Sequence, residues 1–535
     1  ISEAGETLIL SDADGNVIDV FETGALRAGT TSGRVVGSGA PVRVFFASAT
    51  KGKSNDAAVR SAYAAEPVFS ETALYHDAAF PLVLTSATEG AEIRYTLDGS
   101  APGPDSTLYT GPINISSNAV VRAAAYCDGL LQSDSVAMTY LFEQPHTVPV
   151  VCISISPSAF SEVYAATIKK ERVERQGVFS FYEDGALGVS FPCGFRASGA
   201  STLTAAQKSL AVLLRSGYGV AETNYPFFAN SDVSAYQSLV LRNSGQDRTA
   251  ARIRDSFFMK AVKGLNIEQV ETRLTVVYVN GTYWGIYDLN ENQNEDYLAS
   301  HYGVDPDAVD IIRRNFTALE GTKYDFLRVR EYALNRDLSD DTLFAEFAEW
   351  VDVAYFTDYI IAQTYFANSD MFNQKYWRSQ DYSVKWRPVF FDLDFGLHSS
   401  SPTRNILSSY FRVEGVPSQD GSLTNMDIYV GLRKNAAWRD YFCERYVYVV
   451  LNHFNSERLC AILDEMAAQL RAEWPRHTAR WSDAPSLSKW ESNVAALRDC
   501  LAKRAEYALK YLQKEFGVSD EKMQEYRAKA LAASA

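Results

Sequence analysis

The stretch DVAYFTDYIIAQTYFANSDMFNQKYWR, residues 352–378, followed by KWRPVFFDLDFG, residues 385–396, carries the densest set of chemically useful groups in the chain. Phe344, Phe347, Val351, Ala354, Tyr355, Ile361 and Tyr365 recur at helical spacing, so a long helix is predicted to end at Asn368-Ser369-Asp370. A strand then leaves through Asn373 and Tyr376-Trp377. The chain turns near residues 380–384 and returns from Lys385 to Phe391, reaching Asp392-Leu393-Asp394-Phe395-Gly396. With the turn centred near residue 382, Asn373 lies across from Phe391 or Asp392. Three carboxylates and an amide then converge from a helix end and a hairpin base. Two carboxylates about 4 Å apart repel by roughly 4 kcal/mol at an effective dielectric of about 20. Such a cluster calls for a proton or a cation between its members. Oxygen-only ligands favour Mg²⁺, Mn²⁺ or Ca²⁺ over zinc. On spacing alone, helix capping and turn formation explain the same residues equally well.

Upstream of this stretch the texture is β. Residues 1–55 read as short strands and turns, with hairpin chemistry in ETLILSDADGNVIDV. Asp12, Asp14 and Asn16 open like a calcium loop, but Thr23 stands at the twelfth position, which argues against that site. Residues 56–66 form a small-residue linker. Residues 67–143 hold evenly spaced short strands divided by Asp98-Gly99-Ser100, Pro102-Gly103-Pro104 and Asp128-Gly129, the pattern of a small β-sandwich. From Pro149 the strands lengthen, a helix is predicted over 249–263, and Asn280-Gly281 marks a tight hairpin. After residue 340 helices dominate, through amphipathic segments over 425–515. Residues 516–535 are read as a C-terminal tail.

Composition narrows the function classes. The 535 residues carry a formal net charge of -15, and no Lys/Arg-rich stretch fits a phosphate backbone, so nucleic acid is excluded as a partner. No run of about 18 apolar residues predicts a membrane span. The six cysteines lack any C-x-x-C pair, which argues against structural zinc; they read as mostly buried thiols, with one C-terminal pairing left open. Ile1 opens the sequence without an initiator Met, read as removal of a signal peptide.

Several blocks resemble known families. Residues 49–55 are similar to the closing pattern of a lamin-tail domain, an Ig-like module whose first half is not in this sequence. Ile93 through Pro102, with Ser106 through Ile113, resembles the chitobiase/hexosaminidase C-terminal module. The segment around Asn368-Ser369-Asp370, Asn373 and Asp392 to Gly396 resembles the core of the CotH (spore-coat kinase) family. Further blocks resemble it too: Phe195 to Ser201 with Gln207-Lys208-Ser209, residues 238–257, and Gly281 to Tyr287 with Glu291. The resemblance spans residues 149–515. It implies a multidomain chain, Ig-like β modules followed by an α+β, two-lobed, atypical protein-kinase-like domain.

By that resemblance Asp370 is the catalytic aspartate, Asp392 and Asp394 hold Mg²⁺ (or Mn²⁺), and Asn373 assists the cofactor. Lys208 and Arg196 hold the phosphates of ATP. Ala197 stands where the family has Gly. Glu291 pairs with Lys208 or sits near the nucleotide. Asp247 and Arg254 are expected to form a structural ion pair. No Walker A loop is present. The implied activity is a secreted or cell-surface protein kinase acting on a Ser-rich segment, possible glycan or cell-wall contact coming from the β modules. Two other readings stand beside it: a degenerate kinase fold used for surface binding, and a carbohydrate-binding protein.

Overall fold

The computed structural model describes residues 5–27, 29–35, 42–53, 59–411 and 426–533. Ile1, Ser54-Asn55 of the lamin-tail-like pattern and linker residues 56–58 lie outside them. The chain divides into two units. One comprises Ile1–Pro226, Ser234–Leu241 and Thr275–Tyr287; the other comprises Phe227–Val233, Arg242–Leu274 and Asp288–Ala535. The division falls inside the span 149–515 that the resemblance treats as one domain.

The first unit is β-rich. Thr7–Ser11 pairs with Val17–Glu22, and Thr31–Arg34 with Arg43–Phe46. At the first turn the Asp12 carboxylate accepts from the amides of Asp14 and Asn16 and from the Asn16 side chain. It thus closes a turn with its own neighbours. Farther on, Val136–Tyr140, Ala119–Tyr126, Glu92–Thr96 and Thr107–Leu108 form an antiparallel sheet in that order. Its inward residues Ile93, Val121, Ala123, Met138 and Tyr140 pack with Phe69, Leu82, Leu84 and Ile115 from short flanking strands. These are the alternating apolar positions that suggest a sandwich.

A closed barrel follows. Its strands are β1 (Val150–Ser154), β2 (Glu174–Glu183), β3 (Ala186–Ser198), β4 (Ser209–Leu213), β5 (Ser238–Arg242), β6 (Thr272–Val279) and β7 (Thr282–Glu291). Their order is β1-β2-β3-β4-β5-β7-β6, with β1 parallel to β6. Closure removes the sheet edges. The β6–β7 turn is Asn280-Gly281, both at positive φ (50° and 75°), as a two-residue hairpin loop requires.

The second unit is α+β. Helix α1 (Arg254–Ala261) is shorter than predicted, because a 3₁₀ turn over Gly245–Thr249 precedes it. Strands β8 (Val309–Arg313), β9 (Thr317–Glu320), β10 (Lys375–Ser379) and β11 (Arg387–Pro388) form a sheet in the order β9-β8-β10-β11. The long helix predicted to reach Asp370 is broken. One piece is Asp341–Ala348; the other, α2, is Val353–Tyr365. Between them Trp350 and Asp352 exchange backbone bonds with Trp386, and the Asp352 side chain caps α2. Helices α3 (Ser456–Arg480) and α4 (Leu487–Phe516) pack on each other, linked by Arg471–Glu491 and Arg498–Asp464. The residues read as a tail form a further helix, α5 (Asp520–Ala532), with Met523, Tyr526 and Ala530 buried. All six cysteines are free thiols, so no C-terminal pair forms. Among the described residues no helix is long and apolar enough to cross a membrane.

Candidate functional site

The hairpin forms in the expected register, Tyr376 opposite Pro388 and Trp377 opposite Arg387. Asn373 reaches Asp392 at its base: Nδ2 donates to Asp392 Oδ2 at 2.7 Å. Helix α2 ends at Tyr365, and Ala367 turns the chain at φ 46° before Asn368. Arg504 of α4, 1% exposed, holds that end. Its guanidinium donates to the carbonyls of Thr364, Tyr365, Pro402 and Arg404 at 2.6–2.9 Å. A cation on the last carbonyls of a helix also opposes the helix dipole favourably. Asp370 sits half-buried just beyond, its amide donating to Asn368 Oδ1 and its carbonyl accepting from Asn373 N–H.

Asp392 and Asp394 meet a residue that the sequence reading passed over. Arg242, the last residue of β5, places Nη2 at 2.9 Å from both Asp392 Oδ1 and Asp394 Oδ1. Its Nε lies 2.9 Å from Asp255 Oδ2 but off the hydrogen-bonding direction, so that contact is ionic. Asp255, on the first turn of α1, also accepts from Leu393 N–H at 2.7 Å. Asp394 is 1% exposed, and its Oδ2 accepts from Gln246 N–H at 2.9 Å. Three carboxylates thus share one guanidinium. Burial works against the charge of Arg242, but Asp255, Asp394 and Asp392 outweigh it and hold it well above its ordinary value. Burial pushes Asp394 well up despite Arg242, with Asp392 and Asp255 adding to the rise; Asp255 is raised for the same reason. Asp392 holds a strained φ of 58°.

The other candidates have partners of their own. Glu291 Oε1 lies 2.8 Å from His301 Nε2, and Oε2 accepts from Glu271 N–H at 2.8 Å. Lys208 Nζ donates to the Leu203 carbonyl and lies 5.8 Å from the Tyr164 ring centroid. Both halves of the expected Lys208–Glu291 pair are therefore taken up locally. Arg196 stands opposite Glu174 across β2 and β3; its Nε is shielded and has no hydrogen-bond partner among the described residues. The Asp247–Arg254 pair forms as expected and is buried. Asp247 also accepts from the amides of Ala251, Ile253 and Arg254, capping α1.

Among the described residues no group of three or more His, Cys, Asp or Glu is disposed to hold a metal. The carboxylates instead centre on Arg242. The donor chemistry still fits a hard cation at Asp392, which keeps 32% of its side chain exposed beside the Asn373 amide. Asp394, at 1% exposed, is closed off by burial. Arg242 and Asp255 had one sequence signal: they lie in the 238–257 block, as the Arg that closes an apolar strand and the acid that opens the next helix.

A β-rich unit with a closed barrel, and an α+β unit with a carboxylate–guanidinium cluster, make a multidomain protein of the CotH fold. Residues 195–508 match the family model described as CotH kinase protein, more than half of the chain, and the chain belongs to that family. Residues 82–140 match the model described as Fn3 associated, which identifies an N-terminal β module where a chitobiase-type module was expected. No curated protein matches the chain.

Proposed function

We propose that this chain is a phosphotransferase that moves the γ-phosphoryl group of ATP to a Ser (or Thr) hydroxyl of a secreted or cell-surface protein. The observation that carries the reading is that the residues on either side of Asp370, Ser369 and Asn373, reach the D-L-D-F-G loop within the family-matched residues. Ser369 N–H and Oγ reach the Phe395 carbonyl at 3.5 Å, the limit of a hydrogen bond. Asn373 joins the same loop at 2.7 Å. Phosphoryl transfer asks little of the protein beyond position and charge. In this reading Asp370, half-buried in the turn beyond α2, aims the acceptor hydroxyl and takes its proton. Asn373 holds Asp392 in place. Lys208 and Arg196 carry over as proposed phosphate contacts. A Mg²⁺ or Mn²⁺ ion at Asp392 would neutralise phosphate charge when bound. The acceptor is a Ser-rich protein segment, and the N-terminal β modules are proposed to contact glycan or cell wall.

A second reading is a binding protein on an inactive kinase-related fold. The grip of Arg242 on both Asp392 and Asp394 favours it. The test is incubation with labelled ATP and Mg²⁺ or Mn²⁺, read as autophosphorylation by mass spectrometry. Asp370→Asn keeps the shape but loses the basic oxygen. It should cut transfer by at least about 100-fold while ATP still binds. Full activity in that variant removes Asp370 from the mechanism. No transfer and no ATP binding by the unmutated chain favours the second reading.

A further inference from the structure

The cation nearest the D-L-D loop is Arg242, and its surroundings define a role. It closes a barrel strand, and the helix that follows in sequence, α1, offers Asp255 to brace it. A strand cation braced by a carboxylate on the next helix, beside an acidic loop, is the arrangement that holds nucleotide phosphates in protein kinases. Lys208 has its ammonium on the Leu203 carbonyl instead. Arg242 is 22% exposed, and its Nη1 has no hydrogen bond among the described residues. The remaining nitrogen, Nη1, is open to a phosphate oxygen, and a planar guanidinium orients such an oxygen better than an ammonium does.

We propose that Arg242, positioned by Asp255, is the principal phosphate-holding cation of this site, the part that the resemblance assigns to Lys208. The inference rests on the ATP-dependent reading above. Without nucleotide, Asp392 and Asp394 take its Nη2; a triphosphate competes for the same guanidinium and engages Nη1. A purely structural counter-ion would also join strand, helix and loop, but would have no preference among ligands.

Calorimetric titration of the full chain with ATP and with adenosine, in Mg²⁺, separates the two. Arg242→Gln should weaken ATP by at least about tenfold and leave adenosine unchanged. Lys208→Ala should lose less. Arg242→Lys keeps a charge for the three carboxylates but loses the fork. It should weaken ATP by about threefold, again sparing adenosine, with its melting temperature retained. This variant decides the matter if Arg242→Gln does not fold. Unchanged ATP affinity in folded Arg242→Lys or Arg242→Gln overturns the assignment, as does an equal loss for adenosine. If the unmutated chain binds neither ligand, the phosphotransferase reading itself falls and takes this inference with it.

Discussion

At the scale of single residues, Asp392 and Asp394 look alike in sequence but differ in surroundings. Each has both oxygens hydrogen-bonded, but Asp392 keeps 32% of its side chain exposed and Asp394 only 1%. Asp392→Ala should therefore abolish metal-dependent ATP binding with little change in melting temperature, checked by calorimetry and calorimetric scanning. Gly245 shows how tightly the second aspartate is fitted. Its φ is 52°, and a Cβ there would come within 1.6 Å of Asp394 Oδ2. Gly245→Ala should cost about 1–3 kcal/mol through backbone strain alone. It should also tighten ATP binding, because moving Asp394 off Arg242 removes a competitor of the triphosphate. Normal stability and affinity in that variant would mean that the loop yields freely. The local spacing of the D-x-D pair was legible in sequence. Which carboxylate stays open was not, because Arg242 lies 150 residues away from Asp392.

At the scale of elements, hairpins were the most legible. Asn280-Gly281 and the 380–384 turn carry their own chemistry, so both appear where the sequence puts them. Helix ends were less so. Apolar periodicity ran through residues 341–370, but Trp386 bridges the chain at Trp350 and Asp352. Ala367 then ends the helix early. The end of α2 depends on Arg504, far along the chain. Arg504→Ala should leave four carbonyl contacts unmet, two of them buried, cost about 3 kcal/mol, and lower transfer by loosening Asp370. The β7–helix junction gives a pH signature. Burial lowers the His301 pKa, but its hydrogen bond and ion pair with Glu291 outweigh that and raise it on balance. A raised histidine pKa adds stability below the ordinary value of 6.5, and the gain is lost as pH rises through the folded value. His301→Gln should therefore destabilise the protein at about pH 6 and much less at about pH 9. Equal losses at both pH values would reduce the pair to packing.

At the scale of the molecule, the strands before residue 55 differ from the barrel. Ile9, Leu10, Val17 and Ile18 are 58–63% exposed on a two-stranded sheet. Barrel strands β1 and β4 are buried at every position. Low burial and few partners mean cheap local opening. Hydrogen exchange should be fast over Thr7–Glu22 and slow by several orders of magnitude in β1 and β4; matching rates would contradict this. Strand content was legible, since period and turn residues are local properties. The division into two units was not. It cuts once across each of strands β5, β6 and β7, one end of each belonging to the second unit and the rest to the first.

The turn at Asn280-Gly281 also bears on chemical ageing. Asparagine before glycine is the pair most prone to deamidate, because the glycine amide can swing onto the side-chain carbon. Here Asn280 Oδ1 accepts from Ile155 N–H at 3.0 Å, and Nδ2 donates to the Ile155 carbonyl at 2.7 Å. Gly99 closes over it so closely that a Cβ there would lie 2.1 Å from Oδ1. The clamp holds the side chain away from the attack geometry, so the folded protein should keep this asparagine far longer than a peptide of the same sequence. Once converted to aspartate, the position loses its donor and sets an oxygen against the Ile155 carbonyl. Peptide mapping of aged native and denatured samples gives, through one residue, a clock for how much of its life each molecule has spent folded.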